Sequence, residues 1–282
     1  MGQDFSDAAL VLLGHGTALN PNSAAPVYQH AAELRRRRMF AEVREAFWKQ
    51  DPRVTQVLSQ LTASRVFIVP LFISEGYFSE EVIPRELGFR GQGQDSWSRA
   101  LRRSRQTLYY CKPVGTHDRM TDVLLSRARE IVDKFPGPGP PTPGEMTLFI
   151  AGHGTEQNEN SRTAIERQVS LIRERHLYAA VHAVYLEEEP RIAECYKLAK
   201  TRNMIVVPFF ISDGLHTQED IPVLLGEPEN IVREQLKRGQ PTWRNPTERL
   251  GKLVWYTPSV GTAPQVADVI LERVHQATEQ PG

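Results

Sequence analysis

The chain has 282 residues, enough for two cores of roughly 135 residues each. Lysine plus arginine equals aspartate plus glutamate at 34 each, so the overall charge gives no reason to expect a nucleic-acid partner. Cys111 and Cys195 have no CxxC spacing, which excludes a cysteine-ligated zinc or iron–sulfur motif within the chain. Because there is no leader pattern and no apolar run near ~18 residues, we expect a cytoplasmic protein without a membrane partner.

The first half of the chain predicts strands that alternate with helices. Short, continuous apolar runs at 8–14, 66–72 and 107–111 are typical of strands covered on both faces in a parallel sheet. Amphipathic stretches at 24–38 and 119–135 predict helices. This alternation favours right-handed βαβ units and a three-layer α/β/α domain.

A proline- and glycine-rich segment, 136–145, follows these elements and cannot continue a helix. It predicts an extended linker between a first domain at 1–135 and a second domain at 146–282. A smaller polar insert at 90–105 predicts a surface loop that contains at most a short helix.

The second half predicts the same order of elements. Its apolar runs again have the length and composition of buried strands, and amphipathic stretches again predict helices. The predicted strands are 147–152, 179–186, 204–211 and 252–256, and the predicted helices are 161–175 and 264–278.

The two halves are copies of one another. The segment 14–23 returns as 152–161, and the segment 66–88 returns as 204–226. Both pairs are 138 residues apart (152 minus 14 and 204 minus 66). Farther along, a repeated Val-Gly-Thr is 146 residues apart (260 minus 114), so the second copy carries eight extra residues after Gly226.

The copies differ at the positions where chemistry is expected. Ligands of parallel α/β sheets bind beyond the carboxyl ends of the strands. In the second copy His153, Glu187 and His216 follow three successive predicted strands, so we expect them at one edge of the sheet. The first copy keeps a histidine, His15, but has lysine and phenylalanine at the other two positions. The second copy is therefore the candidate active copy.

Two imidazoles and a carboxylate predict a site for a divalent first-row metal with open positions for a substrate. The glycines beside His153 permit a tight turn, and Asn158 and Ser161 are candidates to cap the following helix. The N-terminus of that helix would favour an anionic group. Each metal-site residue also has a structural interpretation: a turn for His153, packing for His216 and a solvated loop for Glu187.

Two segments of the second copy resemble the class II tetrapyrrole chelatases. They are GHGT-x-x-N-x-x-S from Gly152 and VPFFISDGLHT-x-EDIP from Val207. The likeness is to the CbiX-type sirohydrochlorin cobaltochelatases and their SirB-like ferrochelatase relatives, and it covers nearly the whole chain as two copies. It implies a chelatase-like tandem of two duplicated three-layer α/β/α domains with parallel sheets. The segment around His216 is its most specific part.

The resemblance implies an enzyme that inserts Co²⁺, or alternatively Fe²⁺, into sirohydrochlorin without ATP, for cobalamin or siroheme biosynthesis. It makes His153 and His216 the catalytic and metal-ligating histidines and Glu187 the acidic residue, with Glu188 and Glu189 as open alternatives. The sequence has no Walker P-loop, so we expect no nucleotide, and we expect no iron–sulfur cluster.

The tetrapyrrole implied by the resemblance carries carboxylates around its rim, so cations or N–H donors should contact it. Candidate substrate contacts are His15, Asn158, Ser161, Arg102 and Arg103. Further candidate cations are Arg90, Arg99, Arg105, Arg233, Lys237 and Arg238.

Two classes of function stay open: the chelatase, and a non-catalytic tetrapyrrole or metal carrier of the same fold. A proton acceptor beside the metal ligands favours catalysis, because a carrier has no need of one. A phosphohistidine phosphatase is disfavoured, since the Arg-His pair at 175–176 ends a predicted helix. We expect a small-molecule tetrapyrrole partner and a monomer or homodimer.

Overall fold

The structure is a computed structural model in which residues 4–17, 23–91, 96–154 and 159–279 are described. These residues divide into two compact units. The first unit combines the chain up to His117 with the chain from Pro264 onward, and the second unit is Asp118–Ala263.

Five strands form the sheet of the first unit: β1 (Phe5–Gly14), β2 (Phe40–Phe47), β3 (Arg65–Pro70), β4 (Ala100–Arg103) and β5 (Gln106–Tyr110). Their order in the sheet is β2-β1-β3-β5-β4. All neighbouring pairs are parallel except β4 and β5, which form an antiparallel hairpin at one edge. β1 and β3 are almost entirely buried, as their apolar runs predict.

Two strands of this sheet depart from the predicted elements. β2 is an edge strand with charged residues at partly exposed positions, so it lacks the apolar run of a buried strand. β4 lies inside the 90–105 insert, where we expect a loop with at most a short helix. It forms a strand because its backbone pairs with β5, although two of its four residues are exposed.

Five strands form the sheet of the second unit: β6 (Met146–Gly152), β7 (Ala180–Tyr185), β8 (Asn203–Pro208), β9 (Thr247–Arg249) and β10 (Lys252–Tyr256). Their order, β7-β6-β8-β10-β9, repeats the order of the first sheet, including the antiparallel edge strand. The structure therefore confirms the predicted pair of duplicated α/β domains with mainly parallel sheets.

Helices connect these strands, and their apolar residues recur with helical spacing. In the first of them, Val27, Ala31 and Leu34 are buried while the arginines at its end are mostly exposed. The α-helices of the described residues are α1 (Ala25–Arg37), α2 (Val54–Gln60), α3 (Ile83–Glu86), α4 (Met120–Lys134), α5 (Glu159–Glu174), α6 (Cys195–Leu198), α7 (Ile221–Leu224), α8 (Glu229–Lys237) and α9 (Val266–Glu279).

The compact units differ from the predicted segments 1–135 and 146–282 in the last helix of each copy. α4 ends the first copy in sequence, but it packs on β8 and β10 of the second unit. α9 ends the second copy, but it packs on β3 and α1 of the first unit. The segment 136–145 therefore connects α4 to β6 inside the second unit. The apolar face of each last helix is buried there.

Hydrogen bonds fix each exchanged helix in its unit. The Trp255 indole N–H donates to the carbonyl of Phe135, the residue after α4, at 2.8 Å. The buried Arg273 of α9 donates from Nε and from a terminal nitrogen to the carbonyl of Pro113 at 3.0 and 2.7 Å. The two bonds from the Arg273 guanidinium are charge-assisted and therefore among the stronger ones in proteins.

Cys111 and Cys195 are both buried free thiols. Among the described helices, none combines the length and the apolar character that a membrane span requires.

Candidate metal and tetrapyrrole site

Three loops at the carboxyl edge of the second sheet carry the predicted site. His153 follows β6 directly, Glu187 lies two residues after β7, and His216 lies eight residues after β8. The rings of His153 and His216 are 5.0 Å apart between centroids and nearly perpendicular. The Nδ1 atom of His153 is 3.7 Å from a carboxylate oxygen of Glu187. The structure thus brings the three predicted side chains together.

The loop of His153 depends on the glycines that flank it. Gly154 has a φ of 61°, and a Cβ on Gly152 would lie 2.0 Å from the side chain of Ile165. The carbonyl of His153 accepts the backbone N–H groups of Leu186 and Glu187 at 3.0 and 3.1 Å. The loop after β6 and the loop after β7 are therefore bonded together by their backbones.

The loop that precedes His216 is held against the segment 259–261. Before the histidine, the Asp213 carboxylate accepts the backbone N–H of Ser259 at 2.7 Å. Gly261 packs so closely on the same loop that a Cβ there would lie 2.2 Å from the Ile211 carbonyl oxygen. His216 itself begins a π-helix, His216–Asp220, an element frequent at functional sites.

Asp220 is the direct partner of His216. Its carboxylate oxygen lies 2.6 Å from Nδ1 of the imidazole, and both side chains are about half exposed. Asp220 is not among the predicted site residues. A signal was available, because Asp220 is four residues after His216 and the first copy has Val82 at the same offset.

The structure also separates the three consecutive glutamates. Glu187 faces His153, whereas Glu188 is mostly buried and pairs with Arg162 at 3.2 Å. Glu189 is exposed and lies 3.6 Å from Arg191. Of the open alternatives, Glu187 is the one that contacts a site histidine.

A cavity of about 360 Å³ lies beside His216. Glu187, Asp220 and Glu219 line it together with residues of α8, which lies in the stretch 226–251 where the second copy is eight residues longer. Arg233 of α8 also lines it and pairs with Glu219 at 2.8 Å. The cavity is therefore lined both by possible metal ligands and by a guanidinium that can bind a carboxylate.

These donors are adjacent, but they are not arranged in a complete metal-coordination geometry. In the part of the chain that the structure describes, no three His, Cys, Asp or Glu side chains are spaced to hold a metal ion. His216 is bonded to Asp220, and His153 also lies 3.4 Å from the Gly154 carbonyl. The Nδ1 atom of each ring is thus next to a protein oxygen, which leaves Nε2 of each ring as the nitrogen for a metal ion.

The equivalent edge of the first sheet has different chemistry. His15 contacts the rings of Trp48 and Phe78 at centroid distances of 5.4 and 5.6 Å. The Lys49 ammonium lies 4.7 Å from the Trp48 ring. Burial lowers the pKa of His15; a hydrogen bond to the Gly16 carbonyl opposes this shift, and Lys49 adds to it. At the positions that correspond to Glu187 and His216, this edge has Lys49 and Phe78.

The structure describes one of the two predicted caps. Asn158 lies outside the described residues. Ser161 is the third residue of α5, so it lies within the helix and not at a cap position. Its place in the first turn still puts it on the element that follows the His153 loop.

Arg102 and Arg103 do not lie at the edge where substrate contacts are expected. They pair with Thr107 and Gln106 at the start of β5, the amino end of that strand. His15 follows the carboxyl end of the parallel strand β1, so these arginines lie toward the opposite edge of the same sheet. Arg102 and Arg103 lie at the amino end of β5 because β4 runs antiparallel to it, and the composition of the insert does not indicate this direction.

Comparison with known proteins identifies the family of this chain. The CbiX family model matches residues 9–131 and 147–277, one match in each sequence copy. The chain belongs to the CbiX family. A probable sirohydrochlorin cobaltochelatase of Halobacterium salinarum is 41% identical over 281 residues, covering 95% of this chain and 91% of the relative.

Solved structures show the same architecture. A multi-domain protein of Deinococcus radiodurans with structural similarity to chelatases superposes with a TM-score of 0.78 at 28% identity. The match covers 99% of this chain but only 56% of that longer protein. The sirohydrochlorin chelatase SirB of Bacillus subtilis, in complex with cobalt, gives a TM-score of 0.61 at 15% identity over 97% of this chain and 96% of SirB. This likeness shows a shared fold.

Proposed function

We propose that the chain is a sirohydrochlorin chelatase that inserts a divalent metal ion without ATP. Cobalt is the first candidate metal and ferrous iron is the alternative. The working site is His153, Glu187 and His216 of the second copy. The observation that supports this proposal is the meeting of two imidazoles and a carboxylate beside a cavity at one sheet edge.

The chemistry of insertion suits these groups. A divalent ion replaces two pyrrole N–H protons of the macrocycle, so the products are the metal complex and two protons. Neutral imidazoles can bind the incoming ion or accept a pyrrole proton, and Glu187 can offset the positive charge of the ion. Ligands held on fixed loops replace part of the hydration shell and direct the ion toward the macrocycle.

Cobalt is supported by the relative from Halobacterium salinarum, whose name specifies a cobaltochelatase. Imidazole and carboxylate ligands accept cobalt, nickel, iron and zinc, so the donor set alone does not select one of them. The pathway follows from the metal: a cobalt product belongs to the cobalamin branch and an iron product to siroheme.

Arg233 is the cation best placed to contact the carboxylated rim of the substrate. It lines the cavity beside His216 and pairs with Glu219 and Glu229 at 2.8 and 2.5 Å. Exposed pairs of this kind contribute little stability, so a substrate carboxylate can exchange with one of them.

The proposal involves one tetrapyrrole, one metal ion and this chain. Independence from nucleotide, the lack of an iron–sulfur cluster, a cytoplasmic location and a monomeric or homodimeric state stay predictions.

An anaerobic absorbance assay tests the proposal. Purified protein is mixed with sirohydrochlorin and with Co²⁺, Fe²⁺, Ni²⁺ or Zn²⁺ in turn, and the spectral change of metal insertion is followed. We expect catalytic turnover, fastest with cobalt, and a large loss in Glu187→Gln. Glu189→Gln is the matched control, because this neighbouring carboxylate is exposed and pairs with Arg191. Binding without multiple turnovers would instead identify a carrier.

A further inference from the structure

Asp220 forms with His216 a pair that the proposed chemistry does not yet use. The contact between Oδ2 of Asp220 and Nδ1 of His216 is 2.6 Å, a short hydrogen bond. We propose that Asp220 is a positioning residue that fixes the tautomer of His216 and turns its Nε2 lone pair toward the substrates. The inference rests on the proposed function, because it concerns the same site.

The donor and acceptor roles follow from the partner. A carboxylate accepts hydrogen bonds and cannot donate them, so Nδ1 of the neutral imidazole carries the proton. The lone pair is then on Nε2, the ring atom available for a metal ion or a pyrrole proton. Carboxylates that hold a histidine in this way also increase its strength as a ligand.

The backbone holds the two residues at a constant separation. They are the first and last residues of the π-helix, and the Ile221 N–H closes it by donating to the His216 carbonyl. The buried hydroxyl of Tyr256 donates to the carbonyl of Thr217 at 2.6 Å, which anchors the same turn. Ile221 is fully buried. Asp220 thus projects from a fixed turn toward the ring.

The first copy shows whether the π-helix needs an aspartate at this position in order to form. It contains the same π-helix, Phe78–Val82, closed in the same way by the Ile83 N–H. That helix forms with Phe78 in place of the histidine and Val82 in place of the aspartate. The π-helix therefore does not need a carboxylate at its last position. Histidine and aspartate occur together in one copy and are absent together from the other.

The neighbouring charges are engaged elsewhere. Glu219, on the same turn, pairs with Arg233 of α8 at 2.8 Å, and Arg233 also pairs with Glu229. Glu187 faces His153. Asp220 is the carboxylate in direct contact with the His216 ring.

The test uses Asp220→Val, the residue of the first copy, and Asp220→Asn, whose amide oxygen can still accept the Nδ1–H bond. Glu219→Gln is the matched control for the tautomer measurement, since it removes a carboxylate from the same turn without touching His216. Long-range ¹H–¹⁵N spectra of the histidine rings, at a pH of about 8 where imidazole is ordinarily neutral, report which nitrogen carries the proton. The His216 signals are assigned by their loss in His216→Gln.

We expect the Nδ1–H tautomer in the parent, in Asp220→Asn and in Glu219→Gln, and its loss in Asp220→Val. In the insertion assay, Asp220→Val should lower kcat/KM for cobalt by about 10- to 100-fold. The KM for sirohydrochlorin should stay near that of the parent, and Asp220→Asn should recover most of the activity. Melting curves verify that each variant is folded.

An unchanged tautomer in folded Asp220→Val, or an unchanged kcat/KM for cobalt, would overturn the inference. Failure of Asp220→Asn to retain the Nδ1–H form would do the same. The tautomer is read without turnover, so the two proposals can fail separately: a parent protein without insertion activity contradicts the chelatase proposal, whatever the spectra show.

Discussion

The two copies have the same backbone at the carboxyl edge of the sheet but carry different side chains there. In both copies a histidine carbonyl accepts a backbone N–H from the end of the neighbouring strand, His15 from Lys49 and His153 from Glu187. The side chain of that neighbour is a lysine in one copy and a glutamate in the other. The shared backbone bonds show that the fold positions these residues whatever their charge.

The third position shows the same contrast. The π-helix of the second copy begins with His216 and that of the first with Phe78, which packs on Trp48 at 4.7 Å. The first copy thus has an aromatic cluster around His15 where the second copy has metal-type donors. The fold therefore does not depend on the donors, so substitutions between the copies can remove chemistry while they preserve structure.

The largest effect is expected from His216→Phe, which gives the second copy the residue of the first. Removal of an imidazole that binds the ion or accepts a proton should slow insertion by about 10²- to 10⁴-fold. Rates come from the anaerobic absorbance assay, and circular dichroism verifies the fold. A folded variant that keeps most of the parent's rate would contradict the role of His216.

Glu187→Lys makes the second exchange between the copies. A lysine beside His153 repels the incoming cation, so the KM for cobalt should rise more than in Glu187→Gln. The difference should shrink with added salt, because exposed charges are screened over about 8 Å at physiological ionic strength. Glu189→Lys serves as the control for a charge change in the same loop. Equal effects of the two lysine substitutions would show that only the general field of the loop matters.

Gly261→Ala and Gly115→Ala compare the loops that support the two edges. A new Cβ would lie 2.2 Å from the Ile211 carbonyl oxygen in one case and 2.0 Å from the Ile73 carbonyl oxygen in the other. Overpacking of this kind should destabilise both variants by about 1–3 kcal/mol, measured by urea unfolding. Only Gly261→Ala should also reduce insertion strongly, because it displaces the loop that precedes His216. Equal activity losses in both variants would refute this distinction.

The smallest effect concerns pH and His15. Its lowered pKa means that the unfolded state binds a proton more readily, so the stability from neutral His15 is complete above about 6.5. That stability is lost as pH falls through the folded-state pKa. His15→Asn should therefore flatten the dependence of unfolding free energy on pH below about 6.5. An unchanged dependence would show that burial of His15 has no such effect.

Much of the fold was predictable because each strand pattern occurs twice in the sequence and the two copies can be aligned. The buried strands β1, β3, β6 and β8 have continuous apolar runs, and the offset of 138 residues aligns them. The exchange of α4 and α9 was not predictable, since the apolar face of a helix does not specify which sheet it covers. β2, β4 and β9 were missed because these three edge strands carry charged residues in place of an apolar run.

The site was predictable to the extent that it depends on strand ends. His153, Glu187 and His216 follow successive parallel strands, and topology alone brings such positions together. The pairing of Asp220 with His216 depends on a π-helix, which the sequence pattern does not indicate. The position of Arg102 and Arg103 depends on the direction of β4, which only the hairpin determines.

A matched pair of histidine substitutions tests most directly whether only the second copy carries an active site. His153→Ala and His15→Ala alter the same position of the same motif in the two copies. Each folded variant is assayed for cobalt insertion into sirohydrochlorin under anaerobic conditions. We expect His153→Ala to lose most of the activity and His15→Ala to keep a substantial fraction. Equal losses in the two variants would contradict the account.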